Sequence, residues 1–476
     1  MFRQKALSAA LAATLALGMA TQTFAGQTYT REEAIKVALE NSSDVKSAEE
    51  ALTKTNAQVD EGYGNAYPSI DLSATVTRIF GLKDVKKSSD LTKAAQQMAM
   101  GQDADGHPMA NAYDQQVIGP ALDGLIYGMK SQGYRWQSSI GLTATQVLYA
   151  GGKVGTGIEI AKTAKLTSEI ALENTKNKVR YDVEEAFDNV IILDSSVVIT
   201  EESIALLQTA VDLATQSFQS GLGKELDVVR AQLELDNLKS TLEDLKKKQV
   251  LARNAILNTM GLPFDAEVKF IGDFRNPENA TMPDTAMANV LKRRKEIAQL
   301  KAAEEINSKL VEIEEGDYKP TVALVAGLKY SNNKNEFLDW DAPDWDENIN
   351  KYIALSVTMN LFNGNKTKSG VAQAKSDLRT IQLKRETAER GFRLQIESCV
   401  SALENATQQI EMKKRSLELS QKNYDLTEAA YKVGRETQIN YLTANNSLRQ
   451  AKLAYTQAIK EWNTAYNALL QATGEY

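Results

Sequence analysis

The residues that could carry chemistry are few. Cys399 is the single cysteine and His107 the single histidine. A structural zinc site takes four ligands, mostly Cys and His, and a nucleophilic cysteine needs a base beside it with a third group to orient that base. His107 lies in the glycine- and aspartate-rich run GQDADGHPM, while Cys399 follows Ile396 by three residues on an apolar helical stripe, where a packed core thiol is expected. The serines and threonines have no histidine beside them to act as general base. No P-loop and no glycine-rich dinucleotide fingerprint occurs. The densest carboxylate group is NEFLDWDAPDWDEN, with Glu336, Asp339, Asp341, Asp344, Asp346 and Glu347 against Lys334. Hard cations take clustered carboxylates, but this spacing fits no standard calcium loop and reads as a solvated surface loop. Neither metal, cofactor nor enzymatic activity is expected.

The elements themselves say more. Arg3 and Lys5 precede an alanine-rich apolar run to Met19, and Thr23-Phe24-Ala25 then places small residues where a signal peptidase cuts, the pattern of a secretory leader over residues 1–25. No cysteine follows to carry a lipid. The net charge is −7, and −9 once the two leader cations are gone, so nucleic acid is not an expected partner. Beyond the leader the most apolar run, Val190 to Ile199, is interrupted by Asp194 and two serines. A bilayer-spanning helix needs about 20 apolar residues, so membrane entry would require a closed β-barrel.

Strand patterns fit that requirement. After Pro68, Ile70, Leu72, Ala74 and Val76 alternate with Ser69, Asp71, Ser73, Thr75 and Thr77. Ser139 to Leu148 alternates likewise with Ile140, Leu142, Ala144 and Leu148, as do Val322, Leu324, Ala326 and Leu328 after Pro320, and Ile353, Leu355, Val357, Met359 and Leu361. Aromatic residues bracket all four: Tyr67 and Phe80, Trp136 and Tyr149, Tyr318 and Tyr330, Tyr352 and Phe362. Tilted strands of about 9–11 residues with aromatic girdles cross a bilayer. A soluble sandwich with aromatic strand ends fits the same residues. The smallest single-chain barrels have about eight strands, so four strands close only if several chains share one barrel.

The chain is internally duplicated. QVLYAGGK at 146–153 returns as MNLFNGNK at 359–366, a shift of 213 residues that also carries Phe218 onto Tyr431, Gly221 onto Gly434 and Gly261 onto Gly474. The first strand–strand loop is 39 residues longer than the second. A leader (1–25), a first repeat (26–270) and a second repeat (281–476) result. In each repeat a glycine turn, Gly151-Gly152 or Gly364, hands a strand over to a long helix. The expected helices are Arg31 to Ala66 (capped by Thr30 and Glu33), 155–220, Glu225 to Met260, Asp284 to Asp317, Lys368 to Val433 and Glu436 to Ala472. At 1.5 Å per residue the long ones reach about 100 Å and the short ones about 50 to 55 Å. Leu235, Leu238, Leu242, Leu245, Gln249, Ala252 and Ile256 step by three and four, and Leu403, Ile410, Leu417, Tyr424 and Tyr431 recur every seven, the signature of coiled-coil partners. A coiled-coil rod without a lumen is the alternative, though it leaves the amphipathic strands unexplained.

The order of helices and strands, the L-[YF]-x-G-x-K turns at Leu148–Lys153 and Leu361–Lys366, and the run YKVGRETQINYLTA from Tyr431 to Ala444 resemble the TolC outer-membrane channel family. The resemblance extends from Thr30 to Gly474. It implies a mainly α chain with membrane β-structure: a homotrimer whose four strands per chain form a shared 12-stranded barrel in outer-membrane lipid, continued by a coiled-coil tunnel into the periplasm. The implied function is a passive exit duct of a tripartite efflux pump or type I secretion system in a Gram-negative bacterium, docked to a periplasmic adaptor and an inner-membrane transporter. A structural tether is the alternative. The implied adaptor-contacting tips are Gly221, Leu222 and Gly223 with Val433 and Gly434. The family's tip link falls on Asp227 and Tyr431, but its arginine position holds Glu436, with Arg435 one residue earlier. Its paired pore aspartates fall on Asn440 and Thr443, which removes the carboxylate ring. Weak cation selectivity at the constriction is the consequence expected.

Overall fold

The computed structural model describes residues 27–80, 135–334 and 349–476. The leader, His107 and the acidic 336–347 loop lie outside these described residues. In chain order the elements are β1 (Gln27–Tyr29), α1 (Arg31–Asn41), α2 (Ser43–Gly64), β2 (Ser69–Arg78), β3 (Trp136–Ala150), α3 (Lys153–Gln219), α4 (Glu225–Met260), β4 (Val268–Phe270), α5 (Met287–Arg293), α6 (Lys295–Gly316), β5 (Thr321–Lys334), β6 (Ile349–Thr358), α7 (Lys366–Lys432) and α8 (Gln438–Thr473). The long helices α3 and α7 each have 67 residues, and α4 and α8 each have 36. No helix among the described residues is long and apolar enough to cross a membrane. The described residues fall into two compact units, each drawing on both repeats: those within Met1–Val59, Ile160–Ser308 and Ala374–Tyr476 form one, and those within Asp60–Glu159 and Lys309–Gln373 form the other.

The strand unit holds an antiparallel sheet in the order β2-β3-β5-β6. Its pairing aligns Ala74 with Ile140 and Ile140 with Tyr330, and aligns Leu72 with Leu142 and Leu142 with Leu328, so one apolar face runs across the sheet. Ile70, Leu72, Ile353 and Leu355 on that face are all more than 60 % exposed, a surface suited to lipid rather than water. The alternation expected through Leu148 breaks there. A bulge between Val147 and Tyr149 leaves Leu148 and Tyr149 both exposed, because an extra residue in one strand shifts the phase of its side chains. The fourth strand stops at Thr358, so Met359 and Leu361 lie beyond it and not within it as the alternation predicts. Among the described residues β6 has no second partner strand to extend against.

The helical unit is built on the capping and heptad signals. Thr30 and Glu33 form the expected capping box, with the Thr30 amide donating to Glu33 Oε2 at 2.9 Å. The single helices expected over Arg31–Ala66 and Asp284–Asp317 are each broken, at Ser42 and at Arg294. These positions are 252 residues apart, the same offset as Pro68 and Pro320. Neither is a proline or glycine; at Ser42 the hydroxyl accepts from the Asp44 amide at 3.3 Å, at the start of the next helix. At Arg294 the guanidinium is buried 3.8 Å over the Phe392 ring and donates to Gln395 at 2.8 Å, contacts that a continuous helix does not announce. The second of these helices also starts at Met287 instead of Asp284, whose carboxylate accepts from the Ala286 amide outside the helix. α8 begins at Gln438, two residues later than expected, because Thr437 takes the N-cap position and accepts from the Asn440 amide.

Leu235, Leu238 and Ile256 of the first heptad run are buried, as are Leu403 and Tyr424 of the second. The polar heptad position Gln249 donates to Asp194 at 2.6 Å, so the residue that interrupts the apolar run in α3 meets the residue that interrupts the heptad in α4. A matched polar pair of this kind fixes the register of two helices. Cys399 is half-buried beside Trp462, and burial raises its thiol pKa, as a core thiol requires. A parallel pair of three-residue strands, β1 with β4, was too short to leave an alternation in the sequence.

Candidate functional site

The two helix-to-helix turns share one geometry. Gly221 and Gly434 each take φ near +74°, and the amides of Leu222 and Arg435 reach back to the carbonyls of Ser217 and Ala430, both at 2.9 Å. This is the hydrogen-bond pattern that ends a helix on a left-handed residue, a conformation glycine adopts without steric cost. Leu222 is 89 % exposed and Val433 67 %, so both turns present an apolar residue at their apex.

Beside the turns, the Tyr431 ring stacks on Tyr441 at 5.0 Å, and the Tyr441 hydroxyl lies 3.3 Å from that of Tyr424. Burial, and then the Asp227 carboxylate, push the Tyr431 hydroxyl to a higher pKa. The bond that joins the two turns comes instead from Gln438, a buried amide that donates to the Asp227 main-chain carbonyl at 2.8 Å. Glu436 accepts from the Asn440 side chain at 2.8 Å and from the Thr437 amide at 3.2 Å, and these bonds hold its carboxyl below the usual range. Asn440 and Thr443 are exposed; the Thr443 hydroxyl donates to the Ile439 carbonyl at 2.7 Å. Arg435 is exposed and makes no side-chain ion pair among the described residues. Gln438 and Tyr441 were not legible as tip residues: a glutamine one position after a helix cap carries no sequence mark of burial, although the Tyr424–Tyr431 heptad spacing pointed to that face.

At the strand-to-helix turns, Gly151 (φ +67°) packs against Gly316: a side chain at Gly151 would strike the Gly316 carbonyl. Gly152 and Gly364 also take positive φ, and a side chain at either would meet open space. Lys153 pairs with Asp317 beside the first turn.

A second cluster escaped sequence reasoning altogether. One turn of α3 carries Glu184, Glu185 and Asp188, and three remote segments converge on it. Arg31 pairs with Asp188 at 2.7 Å while lying 5.0 Å over the Phe187 ring, and the Asp188 side chain is fully buried. Arg275 faces Glu184 at 3.6 Å and is itself gripped by Asn463 and Asn467. The Tyr476 hydroxyl donates to Glu184, and Thr464 donates to Glu185. Burial raises the pKa of all three carboxyls, opposed by the facing cations.

Glu185 keeps one carboxylate oxygen buried without a hydrogen-bond donor. A carboxyl whose pKa is raised by folding contributes stability that is present below its ordinary pKa and lost as pH rises through the folded value. Glu185→Gln is therefore expected to raise the thermal midpoint at pH 7, by the equivalent of about 1 kcal/mol, and to give no gain near pH 4. An equal gain at both pH values would show that charge burial is not the cause.

The family model described as outer membrane efflux protein matches residues 34–262 and 286–475. Among curated proteins, outer membrane efflux protein BepC of Brucella suis biovar 1 is 23 % identical over 342 residues, covering 72 % of this chain and 73 % of its own. Outer membrane protein TolC of Salmonella enteritidis is 22 % identical over 351 residues, covering 69 % and 68 %. The Campylobacter jejuni CmeC outer membrane channel aligns with a TM-score of 0.72 at 15 % identity over 93 % of this chain and 85 % of that one. VceC of Vibrio cholerae gives 0.69 at 15 % identity over 93 % and 96 %.

Proposed function

This chain belongs to the outer membrane efflux protein family, and from that premise we propose that three copies share one 12-stranded barrel and a helical tunnel. The protein is an outer-membrane efflux duct that extends into the periplasm, of a family of transport channels and not of enzymes. A periplasmic adaptor and an inner-membrane transporter complete the pump, with the adaptor meeting the tips at Leu222 and Val433. The observation that carries this reading is the four-stranded sheet with one largely apolar, exposed face and, among the described residues, no partner at either edge, β2 or β6. A coiled-coil tether would need no such sheet. The repeats at 26–270 and 281–476 are supported by their hairpins, whose strand pairings coincide under the two sequence offsets.

The gate lies at the helix tips in this proposal, where the Gln438–Asp227 bond joins the two turns and the Tyr431–Tyr441 stack packs α7 on α8 beside the second. Both are neutral contacts, and Asn440 and Thr443 supply no carboxylate. Purified protein in planar bilayers is expected to show trimer-sized conducting units with weak cation selectivity and no block by trivalent cations. Absence of conductance would refute the duct. Strong trivalent block that disappears in Glu436→Gln would move the cation-binding ring to Glu436. Crosslinking from a cysteine at Leu222 would identify the adaptor, and a deletion strain's sensitivity to dyes and detergents, set against loss of a secreted polypeptide, would identify the cargo class.

A further inference from the structure

The sheet carries its own instructions for the seam between copies. The ten residue pairs of the β2–β3 hairpin, from Ser69↔Thr145 to Arg78↔Trp136, map onto the ten of the β5–β6 hairpin when 252 is added to the first residue and 213 to the second. Ala74↔Ile140 becomes Ala326↔Ile353, and Leu72↔Leu142 becomes Leu324↔Leu355. The hairpins are thus equivalent residue by residue, and each strand sees its hairpin partner in the same way in both repeats.

Each strand of a closed barrel has two partners. β3 has its second in β5, through pairs such as Thr143↔Gly327, Ala144↔Ala326 and Thr145↔Val325. The equivalents of β3 and β5 are β6 and β2, the two edges left open. We propose that β6 of one copy pairs antiparallel with β2 of the next in the register transferred from β3–β5: Ser356↔Thr75, Val357↔Ala74 and Thr358↔Ser73. This rests on the shared-barrel reading and adds its alignment.

Three further features fit that register. The pairing continues past the end of β6, placing Met359 on Leu72 and Phe362 on Ile70, with Leu361 in the bulged position that Leu148 holds in β3. β6 stops at Thr358, and none of the described residues of its own chain pairs with it beyond that point. The faces also agree, since Leu355 and Val357 meet Val76 and Ala74 on the apolar side while Ser356 and Thr358 meet Thr75 and Ser73 on the polar side. A slip of one residue would invert one strand's faces. Last, the close approach of Gly151 to Gly316 transfers to Gly364 and Gly64. Both now face open space. In the assembly Gly64 becomes a seat for the Gly364 turn of the neighbour, which explains a glycine near the end of α2 that no contact among the described residues requires.

The test uses the full chain in a Cys399→Ser background, assembled in the outer membrane and oxidised. Thr75→Cys with Ser356→Cys is expected to give covalent dimers and trimers in high yield, and Ser73→Cys with Ser356→Cys or Thr77→Cys with Ser356→Cys at least tenfold less. If either slipped pair dominates in protein that still runs as a trimer, the register is wrong and the shared barrel stands. If the uncrosslinked parent is a monomer in detergent and membrane alike, the shared barrel itself fails. Independently, Gly64→Leu should lower trimer yield severalfold with helix content unchanged; unchanged yield overturns the glycine seat.

Discussion

Gly151→Val together with Gly364→Val is expected to reduce assembled barrel to a small fraction of the parent level, while the unassembled chain keeps its helices. Both glycines take φ near +65°, where a β-branched residue is strongly disfavoured, by about 1–2 kcal/mol or more at each site. At Gly151 a steric term is added, since the new Cβ would overlap the Gly316 carbonyl and force β3 and β5 apart at the end of their ladder. At Gly364 nothing in the same chain obstructs a side chain. The single variants therefore separate the causes: Gly151→Val acts on the chain itself, and Gly364→Val acts on its backbone and on the neighbour. The measurement is trimer yield on heat-modifiable gels, with circular dichroism for helix content. Normal trimer yield with altered conductance would mean that these turns govern opening and not assembly.

Arg31→Ala is expected to cost about 3–5 kcal/mol, since removing one partner of a buried ion pair strands the other. Asp188 has no exposed side-chain surface and already has one oxygen without a donor. Loss of Arg31 also removes the cation over the Phe187 ring and the bond to the Asp273 carbonyl. The sign with pH follows from the direction of the shift. Burial raises the Asp188 carboxyl and Arg31 opposes that rise, so without Arg31 the folded-state pKa climbs further. Stability then is retained below the ordinary aspartate range and lost as pH rises through the folded value. The deficit of Arg31→Ala should be largest at pH 8 and shrink toward pH 5, and Arg31→Ala with Asp188→Ala should recover part of it. A deficit that ignores pH and is not relieved by the double variant would show that Arg31 acts through packing alone.

The parts that were legible in the sequence are those written in local periodicity. Alternation gave four strands, spacing by three and four gave α3, α4, α7 and α8 to within a few residues, and the offset of 213 gave the repeat. The break at Arg294 was not legible, because it serves a buried guanidinium stacked on Phe392, 98 residues away in sequence. The tip was half legible: its glycines and Tyr431 announce themselves, but Gln438 acts through its partner's main chain, and any residue could have supplied that carbonyl. Glu184, Glu185 and Asp188 looked like an ordinary charged helical turn. Their burial depends on Arg31, Arg275 and Asn463, which no local pattern ties to them.

That buried turn also orders events in time. Arg31–Asp188 spans 157 residues of chain, Arg275–Asn463 188 and Tyr476–Glu184 292. Contacts of such separation repay their loop-closure entropy only after most of the intervening chain is fixed. Helices and hairpins, whose bonds are local, can form while the chain is still emerging into a new compartment. The cluster at Glu184 to Asp188 closes only when Arg31, Arg275 and Tyr476 are all in place, so its ion pairs report completion of the helical unit and not of any single helix.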